Sequence, residues 1–410
     1  MSTLTAAVAA LGSGPLTASA LRLHIDPLFA RVLARPGIYL ANHSLGRPLD
    51  QTAADVAAGV AEWYAGLGDA WEPWLIQQNR VRALLAGLLG VSRADCIVPK
   101  TSAGQGLRAV LNLYDRPIQV LSTKGEFDSI DVILRHYAER GRIALRLVAS
   151  EDSDDRGWFA TDALLQALEQ PTDLLVVSQV MFTTGQLLVD LPLIIAKAHA
   201  RGARVLVDTY HGFGVVPQNL TALGADFAVG GGYKYLRGGP GSCWLYVHPS
   251  IADSGEVSLD TGWFAKDQPF TYQRPQPPRF AAGGDAFLES TPPVLVPYQA
   301  AAGLEFHTLL GIQRLREYGL ASCQQLIAEL DRYGIVAEGG RADMGAFVVI
   351  RHARAGELAQ QLGRRGVDCD ARGAFLRLTP DLLTRSEELA QAASIMAQAV
   401  AGLAPAGGQG

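Results

Sequence analysis

Apolar positions along this chain keep two rhythms. From Gln51 to Tyr64, and again from Asn79 to Leu89, they recur at the spacing of one helix face. Between these helices an aromatic loop is expected, Gly66-Leu-Gly-Asp-Ala-Trp-Glu-Pro-Trp74. Thr101-Ser-Ala-Gly-Gln-Gly106 then opens a helix that runs through Tyr114. Downstream, short apolar runs alternate with helical stretches. Strands are expected at Ile118–Leu121, Ala144–Val148, Leu174–Val177, Val205–Val207 and Phe227–Val229, and helices at Ile130–Arg140, Thr161–Glu169 and Leu191–Ala200. Such alternation predicts an α/β fold with a mainly parallel sheet covered by helices. Ligands of an open parallel sheet bind beyond the carboxyl ends of its strands. The residues just after Val177, Val207 and Val229 are therefore where chemistry belongs.

Past Gly255 the pattern changes. Four prolines between Gln268 and Pro278 predict an irregular loop. Long helices follow over Tyr298–Leu310 and Ile312–Tyr333. The end of the chain reads β-α-β-α over Met344–Arg351, Ala355–Arg365, Phe375–Leu378 and Glu387–Leu403, a smaller α+β module. The expected division is an N-terminal segment 1–50 packing with the small domain, a large domain 51–297 and a small domain 298–410.

Composition narrows the class. A chain of 410 residues, 49% hydrophobic and 18% charged, is long enough for one large and one smaller core. The net charge of −5, with no block of basic residues, gives no footprint for nucleic acid. Cys96, Cys243, Cys323 and Cys369 are widely spaced, which fits buried reduced thiols better than disulfides or a metal site. The first charged residue is Arg22, so the basic start of a signal peptide is missing, and no apolar run is long enough to span a membrane. A cytoplasmic location is expected, with a frayed tail from Ala404 to Gly410.

Two segments carry candidate chemistry. In Val205-Leu-Val-Asp208 an acid ends an apolar strand, where it either caps the next turn or meets a cation. A protonated ring nitrogen is such a cation, and the pair would keep the ring an electron sink. The second segment is Gly231-Gly-Tyr233-Lys234-Tyr235-Leu-Arg237-Gly-Gly-Pro-Gly241. A lysine here is either a surface residue in a turn or, backed by glycines and desolvated, a nucleophile for an aldehyde. Lys234 follows Asp208 by one helix-loop-strand unit, so both can reach the same end of the sheet.

With these motifs in view the chain resembles the kynureninase family, class-V aminotransferase-like enzymes of the pyridoxal-phosphate-dependent fold type I. The resemblance runs over nearly the whole chain. It is carried by Asn42-His-Ser-Leu-Gly46, Phe182-Thr-Thr-Gly-Gln186, Asp208-Thr-Tyr-His211, Tyr233-Lys-Tyr-Leu236 with Gly239-Pro-Gly241, Gly262-Trp-Phe264, Pro292-Pro293 and Arg365-Gly-Val-Asp-Cys-Asp-Ala-Arg372. The lysine and tryptophan motifs are the most specific of these.

The resemblance implies roles. Lys234 would hold pyridoxal 5'-phosphate as a Schiff base and shuttle the proton, and Asp208 would pair with the ring nitrogen, with His211 beside it. Phe127 would stack on the ring. Tyr233, Trp263, Ser102 and the backbone at Ala103 would bind the phosphate, with Ser129, Ser178 and Thr291 at further cofactor-side positions. Arg377 would grip the substrate α-carboxylate. Homodimers with shared active sites, an amino-acid substrate, and hydrolysis of kynurenine or 3-hydroxykynurenine at the Cβ–Cγ bond follow from the same likeness. Taken singly, Phe127 also reads as core, His211 as a structural histidine, Trp263 as a loop anchor and Arg377 as an ordinary strand residue.

The chain departs from the family on the aryl side. Ile130 stands where the family has an acid, although Asp128 and Asp131 are near; the Gly66–Trp74 stretch lacks a histidine found in vertebrate members; Thr291 stands where those members have asparagine. Arg237 replaces an asparagine, and Asp381 or Leu382 a tyrosine. A class-V aminotransferase or lyase acting on another amino acid stays open beside the hydrolase, as does a binding protein that keeps the cofactor without turnover. A desulfurase would need a cysteine on a mobile loop, whereas Cys323 falls in a helix and Cys369 in a motif shared with kynureninases.

Overall fold

Apolar runs too short for a helix become the buried strands of the sheets, joined by shorter, more exposed ones such as Asp370–Arg372. In the computed structural model, which describes residues 3–151 and 156–403, these are β1 (Ile38–Tyr39), β2 (Ile97–Lys100), β3 (Ile118–Thr123), β4 (Ile143–Val148), β5 (Leu174–Ser178), β6 (Arg204–Asp208), β7 (Phe227–Gly231), β8 (Cys243–Val247), β9 (Val348–Arg351), β10 (Val367–Asp368), β11 (Asp370–Arg372) and β12 (Phe375–Leu378). The expected frayed tail lies outside the described residues.

Seven strands form the central sheet in the order β2-β8-β7-β6-β5-β3-β4. The pairs β3–β4, β3–β5, β5–β6 and β6–β7 are parallel, and β8 runs antiparallel to both β7 and β2. The mainly parallel α/β sheet expected from the alternation is therefore present. The sheet fills up from β3 outward in both directions, so a topological switch lies between β3 and β5, where a crevice opens at the strand ends. β2 and β8 escaped the sequence reading: Pro99 interrupts one, and the glycine-rich run before Cys243 masks the start of the other.

The smaller sheet, β11-β12-β9, is antiparallel and, with the Ala355–Arg364 and Ser386–Ala401 helices, forms the α+β module. Its core of Leu326, Leu358, Leu376 and Ala393 also takes in Ile38 and Leu40, because β1 pairs in parallel with β10. The expected aromatic loop is mostly helical. After a 3-10 turn at Leu67–Ala70, the Trp71–Leu89 helix begins, with Pro73 in its first turn, where no intrahelical amide is needed. The Val296–Leu310 helix faces two ways: Ala300, Ala301 and Leu304 pack on the main core, and Ala302, Phe306 and Leu310 on the N-terminal helices.

Two glycines press this framework against the lysine segment. A Cβ on Gly46 would stand 1.9 Å from the Lys234 carbonyl oxygen, and one on Gly303 would stand 2.1 Å from that of Leu236. Only a bare backbone fits at either place.

Candidate active site

The carboxyl ends of β3, β5, β6 and β7 converge on a cavity of about 460 Å³. Of the residues singled out from sequence, Ser102, Ala103, Phe127, Ser129, Ser178, Asp208, His211, Tyr233 and Lys234 line it. Asp208 is the last residue of β6 and sits in register with Ser178, the last of β5. Lys234 follows β7 by three residues; its backbone is held where the Gly46 amide donates to the Tyr233 carbonyl (2.9 Å).

Electrostatics suit a reactive amine. Burial pushes the Lys234 amine well below its usual range, against the pull of Asp208. Burial also raises the Asp208 carboxyl, which accepts from the Tyr210 amide (2.8 Å). Lys234 Nζ lies 2.7 Å from His211 Nε2, and burial, with Lys234 nearby, keeps that imidazole neutral. The amine stands 5.4 Å from the ring centroid of Phe127 and 5.3 Å from that of Tyr210.

Ser102 caps the Ala103–Leu111 helix, accepting from the Gln105 amide (3.1 Å), so the helix N-terminus faces the cavity and favours an anion there. These residues fit pyridoxal 5'-phosphate. A phosphate finds a helix N-terminus, an aldehyde a desolvated amine, a ring nitrogen a buried carboxylate, and a flat ring the face of Phe127.

Arg377 lies just outside the cavity wall. Its Nη1 donates to the carbonyl of Phe182, whose ring lines the cavity. Nε and Nη2 form a fork on Asp370 (2.8 and 2.6 Å), its register partner across β11–β12. Asp370 also accepts from Ser44 Oγ (2.8 Å) and lies 2.7 Å from His43 Nε2. Burial works to raise the Asp370 carboxyl, but His43 and Arg377 more than offset it and hold it well below the carboxylate range.

Trp263 and Thr291 are not brought to this cavity. Trp263 Nε1 donates to Thr291 Oγ1 (3.1 Å), and the indole packs among Trp71, Phe264, Phe270 and Tyr272. The reason is the path of the chain after β8. Glu289 pairs with Lys100 (2.5 Å) at the end of β2, which places Thr291 on an adjoining cavity of about 170 Å³. The two cavities share Thr101, Gly241 and Cys243 on their walls.

Other wall residues went unread in the sequence. Tyr210 and Phe182 stand inside quoted motifs, so proximity was the available signal. Cys243 had none, because it sits in an apolar strand. Its thiol lies 2.5 Å from the Tyr210 hydroxyl and is pushed up to about 11 by burial. Cys323 is fully buried, and burial pushes both it and Cys369 up to about 12. None of these thiols is a ready thiolate nucleophile.

Arg237 and Asp381, two positions that depart from the family pattern, meet each other. Arg237 Nη2 donates to Asp381 Oδ2 (2.7 Å), and Arg47 pairs with the other oxygen. Burial would raise this carboxyl, but the two guanidinium charges hold it well below its usual range.

Fold and site together define a pyridoxal-phosphate-dependent enzyme of fold type I. The model of the class-V aminotransferase family matches residues 74–373. A kynureninase from Deinococcus radiodurans is 30% identical over 365 residues, 84% of either chain. One from Geobacillus thermodenitrificans is 26% identical, covering 88% of this chain and 87% of its own. Among solved structures, C-DES with glycine covalently linked to its PLP cofactor superposes with a TM-score of 0.81 at 20% identity, covering 91% of this chain and 98% of that one. The cysteine desulfurase CsdA from Escherichia coli gives 0.78 at 16%, covering 95% of this chain and all of the other. At such identities these two bear on the fold alone. The chain belongs to the kynureninase family of class-V aminotransferase-like proteins.

Proposed function

We propose that this site hydrolyses the Cβ–Cγ bond of kynurenine or 3-hydroxykynurenine, releasing anthranilate or 3-hydroxyanthranilate and alanine. The observation that carries the reading is the convergence of Lys234, Asp208 and His211 beside the Arg377–Asp370 fork, in a chain that kynureninase relatives match over 84–88% of its length. Bound pyridoxal 5'-phosphate supplies an electron sink for charge developing at the substrate α-carbon.

The protein's own groups do the rest. Arg377 keeps N–H donors to spare beyond its fork on Asp370 and takes the α-carboxylate. Lys234, held near neutrality by burial, accepts and returns a proton at Nζ, with His211 Nε2 within hydrogen-bond reach. Asp208 stabilises positive charge at the ring nitrogen. The N-terminus of the Ala103–Leu111 helix anchors phosphate, and Phe127 fixes the plane of the ring.

As part of the same reading the enzyme works in the cytoplasm as a homodimer. Trp63, Tyr64, Leu67 and Ile76 are exposed on the helices beside the Trp263 cluster, an apolar face suited to a second copy. Trp263 and Thr291 would then serve the site of that copy. The division near residue 297 belongs to the proposal too.

The test is turnover. Reconstituted protein incubated with kynurenine or 3-hydroxykynurenine should release alanine and the matching aromatic acid in equal amounts, and Lys234→Ala should abolish both. A keto acid formed from another amino acid, with kynurenine untouched, would favour the second reading, a class-V aminotransferase or lyase. What speaks for it is the departure from the family at Thr291 on the adjoining cavity; Ile130, the other changed position, is buried in the main core and lines neither cavity.

A further inference from the structure

Glu126 is a buried carboxyl that the chemistry above does not use. It is 4% exposed and follows β3 at the topological switch point, facing the end of β5. Oε1 accepts from the Thr123 hydroxyl (2.7 Å) and the Ser178 amide (3.2 Å). Oε2 lies 2.6 Å from Ser178 Oγ. Among the described residues Glu126 has no ion-pair partner. Its surroundings are two hydroxyls and an amide, with Asp208 on the strand beyond Ser178, and Lys234 and the neutral His211 across the cavity. Ser178 itself lines the cavity.

We infer that Glu126 is a positioning residue that sets the direction of the Ser178 hydroxyl, and so decides whether Ser178 donates to the bound cofactor or accepts from it. The geometry permits both states. With Glu126 ionised, Oε2 takes the Ser178 proton, and Ser178 offers the cavity only lone pairs. With Glu126 protonated, Oε2–H donates to Ser178 Oγ, and the serine hydrogen turns toward the cavity. Burial, helped by the Asp208 charge, pushes the carboxyl up to about 7, so the two states exchange near neutral pH. The inference rests on the cofactor reading above.

The experiment follows the visible cofactor band of reconstituted wild type, Glu126→Gln and Ser178→Ala between pH 5.5 and 9. Wild type should show a spectral step near pH 7. Glu126→Gln should lack it and keep the low-pH spectrum throughout, because the amide donates to Ser178 Oγ as the protonated acid does. Ser178→Ala should lack it as well, and this variant decides the matter should the glutamine protein fail to fold. A step unchanged in either variant overturns the inference while leaving the cofactor reading intact. A colourless wild type overturns that reading first.

Melting of the cofactor-free proteins gives an independent check. A buried acid with a raised folded pKa binds its proton more tightly folded than unfolded, so its stabilising form is lost as pH rises through about 7. The Tm of Glu126→Gln should therefore gain on wild type between pH 5 and 8. A constant difference over that range also overturns the inference.

Discussion

Two buried arginine–aspartate pairs flank the lysine segment, and they are built to different ends. At Arg377 a single carboxylate, Asp370, is steadied by a neutral histidine and a serine from the N-terminal loop, and the guanidinium reaches the cavity wall with donors to spare. At Arg237 one carboxylate, Asp381, is shared by two guanidiniums, and the pair lines a separate pocket with Asn42, His307 and Arg316, not the cavity that holds Lys234. Both pairs join the first fifty residues to the small module. The first leaves donors free beside the cavity of Lys234, which suits the proposed grip on a carboxylate, whereas the second has its carboxylate taken up by two guanidiniums. A buried ion pair is therefore poor evidence of a site until its spare hydrogen bonds have been traced.

The comparison can be broken most forcefully at Asp381. Asp381→Ala leaves two buried guanidiniums without a counter-charge and should cost about 3–5 kcal/mol of stability, read from the denaturant midpoint. Protein that stays folded should keep its KM. His43 should give the next effect. Unfolded, it takes a proton near pH 6.5; folded, burial and the charge of Arg377 outweigh its hydrogen bond to Asp370 and hold it to about 4. Acid therefore favours the unfolded chain across that window, and stability should fall by about 3 kcal/mol as pH drops from 6.5 to 4. His43→Gln should flatten this part of the profile in pH-dependent melting.

Arg377→Lys acts on the pair proposed to meet the substrate. Replacing the planar guanidinium by an ammonium should raise KM roughly 10- to 100-fold, about 1.5–3 kcal/mol, and should lower Tm as well, because the buried fork on Asp370 is lost with it. An unchanged KM would remove Arg377 from substrate binding. The smallest effect sharpens the contrast: in a cycle of Arg237→Asn and Asp381→Asn, the double variant should lose less than the two singles together, by about 0.5–3 kcal/mol. Strict additivity would mean the pair is incidental.

Much of the fold and the centre of the site were legible because both follow local rules. Asp208 ends an apolar strand, and Lys234 sits in a glycine-rich turn one unit later; each signal spans a few residues. What stayed hidden depends on long-range contact. Arg237 and Asp381 lie 144 positions apart and looked like separate departures. Glu126 carries no signal of its own until β5 is laid beside β3. Trp263 lies in a family-like motif and Thr291 departs from one, but motif says nothing of which cavity a side chain reaches. The Gly66–Trp74 stretch was read as loop because glycine and proline signal turns, yet a proline in a first helical turn breaks nothing.

The Gly46 contact has a consequence for how the protein comes into being. Gly46 seats the carbonyl of Lys234, while its neighbour His43 bonds Asp370, 327 positions further on. This loop is therefore tied at once to the lysine segment and to the small module. Contacts of such long sequence separation make for slow folding, and removing the small module would strip the loop behind the amine of its His43 anchor on Asp370.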